Sequence, residues 1–185
     1  MGYELIAVGT SWGGLAALRR LLEDLPPQVE QPIVIAQHRS ADSVRGLEGL
    51  LQGHTPLVVS EANDKDELEP RHVYLAPPDY HLLVEPGHLA LSTEAAVRFA
   101  RPSIDVLFES AADAYGERAI GIILTGANDD GAAGLRAIKD RGGVAIVQDP
   151  ETSERRRMPE AALAYADAVL PLEEIGPFLR GLCGR

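Results

Sequence analysis

Leu5-Ile6-Ala7-Val8-Gly9-Thr10-Ser11-Trp12-Gly13-Gly14 is the stretch on which the reading of this chain turns. Four apolar residues of strand length run into a glycine-flanked turn. A helical pattern of Leu15, Leu18, Leu21, Leu22 and Leu25 then follows until Pro26-Pro27 stops it. A serine therefore sits between a strand and a helix. From Gly9 to Gly13 the spelling is G-x-S-x-G, the nucleophile-elbow pattern. The glycines permit a sharp turn, the hydroxyl projects beyond the carboxyl end of the strand, and the helix N-terminus offers free N–H groups to an anion. Alone, the pattern also fits a plain glycine turn that cradles a phosphate. A dinucleotide fingerprint fits worse, because Ser11 stands where a second glycine must let backbone approach the pyrophosphate. No Gly-Lys-Ser/Thr is present.

Outward from this turn, strand-length apolar runs alternate with amphipathic windows, which predicts a doubly wound α/β fold with a mainly parallel sheet flanked by helices. The runs are Leu5–Val8, Ile33–Ala36, Leu57–Val59, Ala119–Leu124 and Val144–Val147, with helices through Val44–Leu51, Ser103 to about Tyr115, and Gly131–Arg141. Ser103 is placed to cap its helix behind Pro102. A helix-strand-helix passage closes the chain. The middle differs: Val73–Ala76 and His81–Val84 lie around Pro77-Pro78, and Glu85-Pro86-Gly87-His88 turns into Leu89–Leu91. This segment reads as a small antiparallel hairpin insertion.

With 185 residues, 45% hydrophobic and 24% charged, the chain suits one globular domain spanning 1–185. Its 17 Lys+Arg against 28 Asp+Glu give a net charge of -11, which argues against a nucleic-acid partner. Arg155-Arg156-Arg157 is a local exception that reads first as a solvated loop. The one cysteine, Cys183, supports neither a disulfide nor a metal site. No histidine pair has metal-ligand spacing, so neither metal nor other cofactor is expected. No signal peptide or bilayer-length apolar run is visible, so the expectation is a cytoplasmic protein without membrane insertion.

A parallel sheet gathers its chemistry outside the carboxyl strand ends. Ser11, His38, and either Asp129 or Asp130 fall there by position. Serine, histidine and aspartate together can perform acyl transfer: the imidazole takes the serine proton, and the carboxylate steadies the imidazolium. Spacing does not choose between the two aspartates, since one of them can cap the next helix. The order Ser-His-Asp differs from that of α/β-hydrolases. Of the other histidines, His54 reads as solvent-facing and His72 and His88 as structural, while His81 could look into a cleft.

The ordered blocks Ile6–Gly14, Ala36-Gln37-His38, Val73–Pro77, Arg101–Asp105, Leu124-Thr125-Gly126, Asp130–Leu135, Gln148-Asp149 and Met158-Pro159 resemble the catalytic domain of the chemotaxis protein-glutamate methylesterase (CheB) family. The resemblance covers nearly the whole chain. It implies a cytoplasmic serine hydrolase that removes methyl esters from glutamyl residues on the signalling helices of methylated chemoreceptors, with deamidation of receptor glutamines in some members. It implies Ser11 as nucleophile, His38 as base and Asp130 as carboxylate, with backbone N–H groups near Trp12 and around Ala127 holding the oxyanion. Two departures stand out. Ala127-Asn128 replaces the family's usual Met-Gly, and Arg157 replaces the glycine of Gly-Met-Pro.

The family's usual N-terminal receiver does not precede Leu5 in this sequence, so the chain is either trimmed from a longer protein or, as expected, a stand-alone esterase. It would have constitutive access to substrate or answer to a separate receiver or regulatory protein. Another serine esterase or amidase of the same fold, and a catalytically silent receptor-binding adaptor, remain the alternatives.

Overall fold

The computed structural model describes residues 2–39 and 46–183. Among these, seven strands form one sheet in which every neighbouring pair is parallel. They are β1 (Leu5–Thr10), β2 (Ile33–Gln37), β3 (Val58–Glu61), β4 (His72–Leu75), β7 (Ala119–Ile123), β8 (Val144–Gln148) and β9 (Ala168–Leu170), in the spatial order β3-β4-β2-β1-β7-β8-β9. Two more, β5 (His81–Glu85) and β6 (His88–Ser92), make a separate antiparallel hairpin.

Strand β1 explains why the sheet is covered on both faces. All six of its residues are buried. Leu5 and Ala7 join one core with Leu107, Phe108 and Leu135, while Ile6 and Val8 join another with Leu18, Leu22 and Leu179. Successive strand side chains point to opposite faces, so an unbroken apolar run needs helices on both sides. Helices α3 (Ile104–Tyr115), α4 (Ala132–Asp140) and α5 (Arg157–Ala162) contribute to the first core. Helices α1 (Gly14–Glu23), α2 (Leu47–Gln52) and α6 (Leu172–Cys183) contribute to the second.

The doubly wound parallel fold expected from the sequence is the one observed, with one correction. Val73–Ala76 is not part of the hairpin. His72–Leu75 lies inside the parallel sheet, between β3 and β2. The reason is burial: Val73, Tyr74 and Leu75 are enclosed on both faces, which a solvent-facing hairpin strand would not be. Only β5 and β6 form the antiparallel insertion, and Val84 of β5 donates its N–H to Ser110 Oγ of α3 at 3.0 Å. The expected helix through Val44–Leu51 is described from Leu47 on, and its first residues lie outside the described residues.

From the central β1, the chain works out to one edge and returns beside β1 at β7 before filling the other edge. This reversal makes a crevice at the carboxyl ends of β1 and β7, where α/β sheets bind ligands.

Candidate active site

Ser11 leaves β1 just before a turn whose shape is fixed by small residues. Gly13 has φ 80°, a left-handed conformation that disfavours residues with a Cβ. Gly14 opens α1 so close to Gln37 that a Cβ there would overlap the Gln37 carboxamide oxygen. That carboxamide donates to the backbone oxygens of Ser11 (2.9 Å) and His38 (3.1 Å), so one side chain pins both segments. Ser11 N–H donates to Thr125 O at 3.0 Å, which ties the serine turn to the loop after β7.

His38 follows β2 and faces both remaining groups. Its Nδ1 lies 3.2 Å from Ser11 Oγ, and its Nε2 lies 2.7 Å from Asp130 Oδ2. The ionised carboxylate can only accept, which assigns the neutral ring's proton to Nε2 and leaves Nδ1 to accept. Asn128 also reaches Nδ1, from its Nδ2 at 3.3 Å, while its Oδ1 accepts the Asp130 N–H at 3.1 Å. In the sequence Asn128 stands out only as a departure from the family's usual glycine. Its position two residues before Asp130, the spacing of an Asx turn, was the available signal.

The structure separates the two aspartates. Asp129 is half exposed and pairs with Arg98 at 3.4 Å. Asp130 is 1% exposed and accepts four hydrogen bonds: from His38, from Ser103 Oγ (3.1 Å), from Ile104 N–H (2.7 Å) and from Asp105 N–H (3.0 Å). The last two donors are the first turn of α3. Burial pushes the Asp130 carboxyl upward, but His38 and the α3 N–H groups outweigh that and hold it below its ordinary value.

Asp105 reciprocates. Its Oδ1 accepts from Gly131 N–H (2.9 Å) and Gly134 N–H (2.8 Å) at the start of α4. The first turn of α3 is thus capped by a carboxylate just before α4, and the start of α4 by a carboxylate of α3. Among the described residues, Asp105 has no side-chain hydrogen-bond partner of the kind His38 gives Asp130. Burial, and secondarily the Asp130 charge, push its carboxyl up to about 6 against the pull of the glycine N–H groups.

The expected oxyanion donors are also available. The amides of Ser11 and Gly126 are occupied by Thr125 O and Arg155 O, whereas those of Trp12 and Ala127 meet no protein acceptor among the described residues. Thr125 fixes this wall: its Oγ1 donates to Trp12 O (2.9 Å) and accepts from Arg155 N–H (2.9 Å).

The remaining expectations resolve as follows. His81 does not look into a cleft; it is 2% exposed, accepts Ser103 N–H on Nδ1 (3.2 Å) and donates from Nε2 to Ala95 O (3.1 Å). His72 stacks on Tyr74 at 4.1 Å and bonds Ser60 Oγ, and burial lowers its pKa. His88 lies against Pro86 O, and His54 pairs with Glu23. All three arginines of the run are exposed, as a solvated loop would have them, and the last opens α5. Arg155 lies over the Trp12 ring at 5.1 Å, and Arg156 pairs with Glu151 and Glu160. No cluster of metal-ligating side chains occurs among the described residues.

Comparison with known proteins gives a consistent answer. Residues 6–179 match the family model described as CheB methylesterase. A putative protein-glutamate methylesterase/protein-glutamine glutaminase of Leptospira interrogans is 47% identical over 178 residues, covering 95% of this chain and 92% of that protein. The protein-glutamate methylesterase FrzG of Myxococcus xanthus is 42% identical over 96% of this chain, which spans only 54% of it. The crystal structure of the Thermotoga maritima CheB methylesterase catalytic domain superposes with a TM-score of 0.92 at 33% identity, covering 98% of this chain and 100% of that one. The chain belongs to the CheB methylesterase family.

Proposed function

We propose that this protein hydrolyses glutamyl methyl esters on the signalling helices of methylated chemoreceptors, using Ser11, His38 and Asp130 as a catalytic triad. The observation that carries the reading is the bridge made by His38, 3.2 Å from Ser11 Oγ on one side and 2.7 Å from Asp130 on the other. Residues 1–185 act as a single catalytic domain, in the cytoplasm. No helix of the described residues is long and apolar enough to cross a membrane. The relatives' names pair methylesterase with glutaminase, and the chemistry below serves both.

Ser11 Oγ attacks the ester carbonyl while its proton passes to His38 Nδ1. The charge that develops on the carbonyl oxygen is met by the Trp12 and Ala127 N–H groups, and removing one such donor typically costs about 3 kcal/mol of transition-state stabilisation. Collapse breaks the bond to the methoxy group, which leaves as methanol with the proton from His38. A water then attacks the acyl-serine under the same base and releases a free glutamate. With a glutamine side chain the leaving group is ammonia. Asp130 holds the ring with Nδ1 toward Ser11 and stabilises the imidazolium of each step.

Methanol release from methyltransferase-labelled receptor membranes tests this. The parent should release methanol and Ser11→Ala should reduce release by at least 1,000-fold, in line with loss of a triad nucleophile. A fluorophosphonate should label the parent and not the variant. Unaltered release by Ser11→Ala would remove the triad. Binding without turnover by a well-folded parent would favour an adaptor.

A further inference from the structure

The loop between β6 and α3 carries a feature that the triad does not use. Val97 and Ala100 exchange both backbone hydrogen bonds, at 3.0 and 2.9 Å, which closes a two-residue turn over Arg98 and Phe99. Both central residues have positive φ, 48° and 66°. This turn geometry normally takes Asn-Gly or Gly-Gly, because side chains with a Cβ are strained there. The turn nevertheless presents a phenylalanine whose side chain is fully exposed, at 104%. Among the described residues nothing covers the phenylalanine.

Its position gives the reason. Phe99 and Arg98 line the same cleft as His38 and Asn128, together with Arg39 and Arg101. Among the described residues, the charged members of that lining are three arginines and one aspartate, in a chain of net charge -11. Arg101 is committed to the loop itself, donating to Thr93 O, Glu94 O and Asp79. Among the described residues, Arg98 is half exposed with one loose carboxylate partner, Asp129 at 3.4 Å, whereas the Arg39 side chain lies buried beside Glu61.

We propose that the Arg98-Phe99 turn is a docking tip that selects the protein substrate: an acidic helical segment whose apolar side chain covers Phe99 while a carboxylate meets Arg98. The proposal rests on the esterase reading above, and supplies what the triad lacks. A glutamyl ester alone offers few atoms for recognition, so specificity must come from the surrounding helix. An exposed aromatic beside cations is the composition of an interface anchor. Strain kept at such a position is stored where function needs it.

Phe99→Gly separates docking from folding. Glycine suits φ 66°, so the turn is kept and the melting temperature should stay level or rise. Binding is read in a Ser11→Ala background, as the Kd for the same methylated receptor fragment used for methanol release. Phe99→Gly should raise Kd at least ten-fold and raise KM in parallel in the active enzyme, while Phe99→Leu restores most of the loss. Arg98→Glu should weaken binding and flatten its salt dependence. Kd and KM within two-fold of the parent for Phe99→Gly would overturn the docking tip. A parent that binds through Phe99 yet releases no methanol would overturn the esterase reading and leave the docking tip standing. A parent that neither binds nor turns over the fragment would overturn both.

Discussion

Asp130 shows how one side chain can serve two ends. Its four donors would all be left in a buried site if the carboxylate were removed, and each unsatisfied group costs roughly 1–3 kcal/mol. Asp130→Ala should therefore lower unfolding free energy by about 3 kcal/mol or more, whereas Ser11→Ala should change it by less than about 1 kcal/mol. Urea denaturation of the two variants checks this; equal stability would mean that the α3 amides find other partners. Asp105 makes the opposite case. Its carboxyl stands at about 6 in the folded protein, above the ordinary carboxylate value that the unfolded chain restores. Between those values the folded state holds the extra proton, so this group costs progressively more stability as pH rises through that window and no more above it. Asp105→Asn keeps an oxygen for the Gly131 and Gly134 amides but cannot ionise. Its stability relative to the parent should improve by about 2 kcal/mol between pH 4.5 and pH 7. A difference that is flat with pH would show that Asp105 does not titrate there.

At the scale of elements, the close joints matter more than the elements themselves. Gly14 begins α1 against the Gln37 carboxamide, which ties together the ends of β1 and β2. Gly14→Ala should force that carboxamide aside, lowering stability by about 1–3 kcal/mol and depressing turnover more than substrate binding, since Ser11 and His38 lose their common tether. A kcat within two-fold of the parent would show that the turn relaxes. The strand-turn-helix around Ser11 was legible because its signals are local: apolar run, glycines, then helical spacing. Residues Val73–Leu75 were read with the wrong partners because a short apolar run beside two prolines says nothing about its neighbours; burial on both faces decides that. The Arg98-Phe99 turn was illegible for another reason. Its residues contradict the chemistry that ordinarily announces such a turn.

For the whole molecule, the reversal of strand order assembles the site from loops far apart in sequence. Ser11 and His38 could be read from where their strands end. The choice between Asp129 and Asp130 could not come from spacing, because it depends on which carboxylate meets the first turn of α3, a contact spanning 25 and 26 residues. Family resemblance implied Asp130, and it is this carboxylate, not Asp129, that lies against His38. Asn128 escaped for the same reason, since its contact with His38 spans 90 residues.

The reciprocal carboxylates at the N-termini of α3 and α4 also constrain how such a protein can lose its activity over evolutionary time. A lineage that retires the chemistry but keeps the scaffold, to hold or sequester a partner, can discard the serine hydroxyl or the imidazole at little structural cost. The aspartate is a different matter, because its carboxylate caps the first turn of α3 besides serving the proposed reaction. A descendant that had forgotten its catalysis would be expected to keep Asp130 long after Ser11 had drifted, a fossil of the enzyme preserved by the architecture.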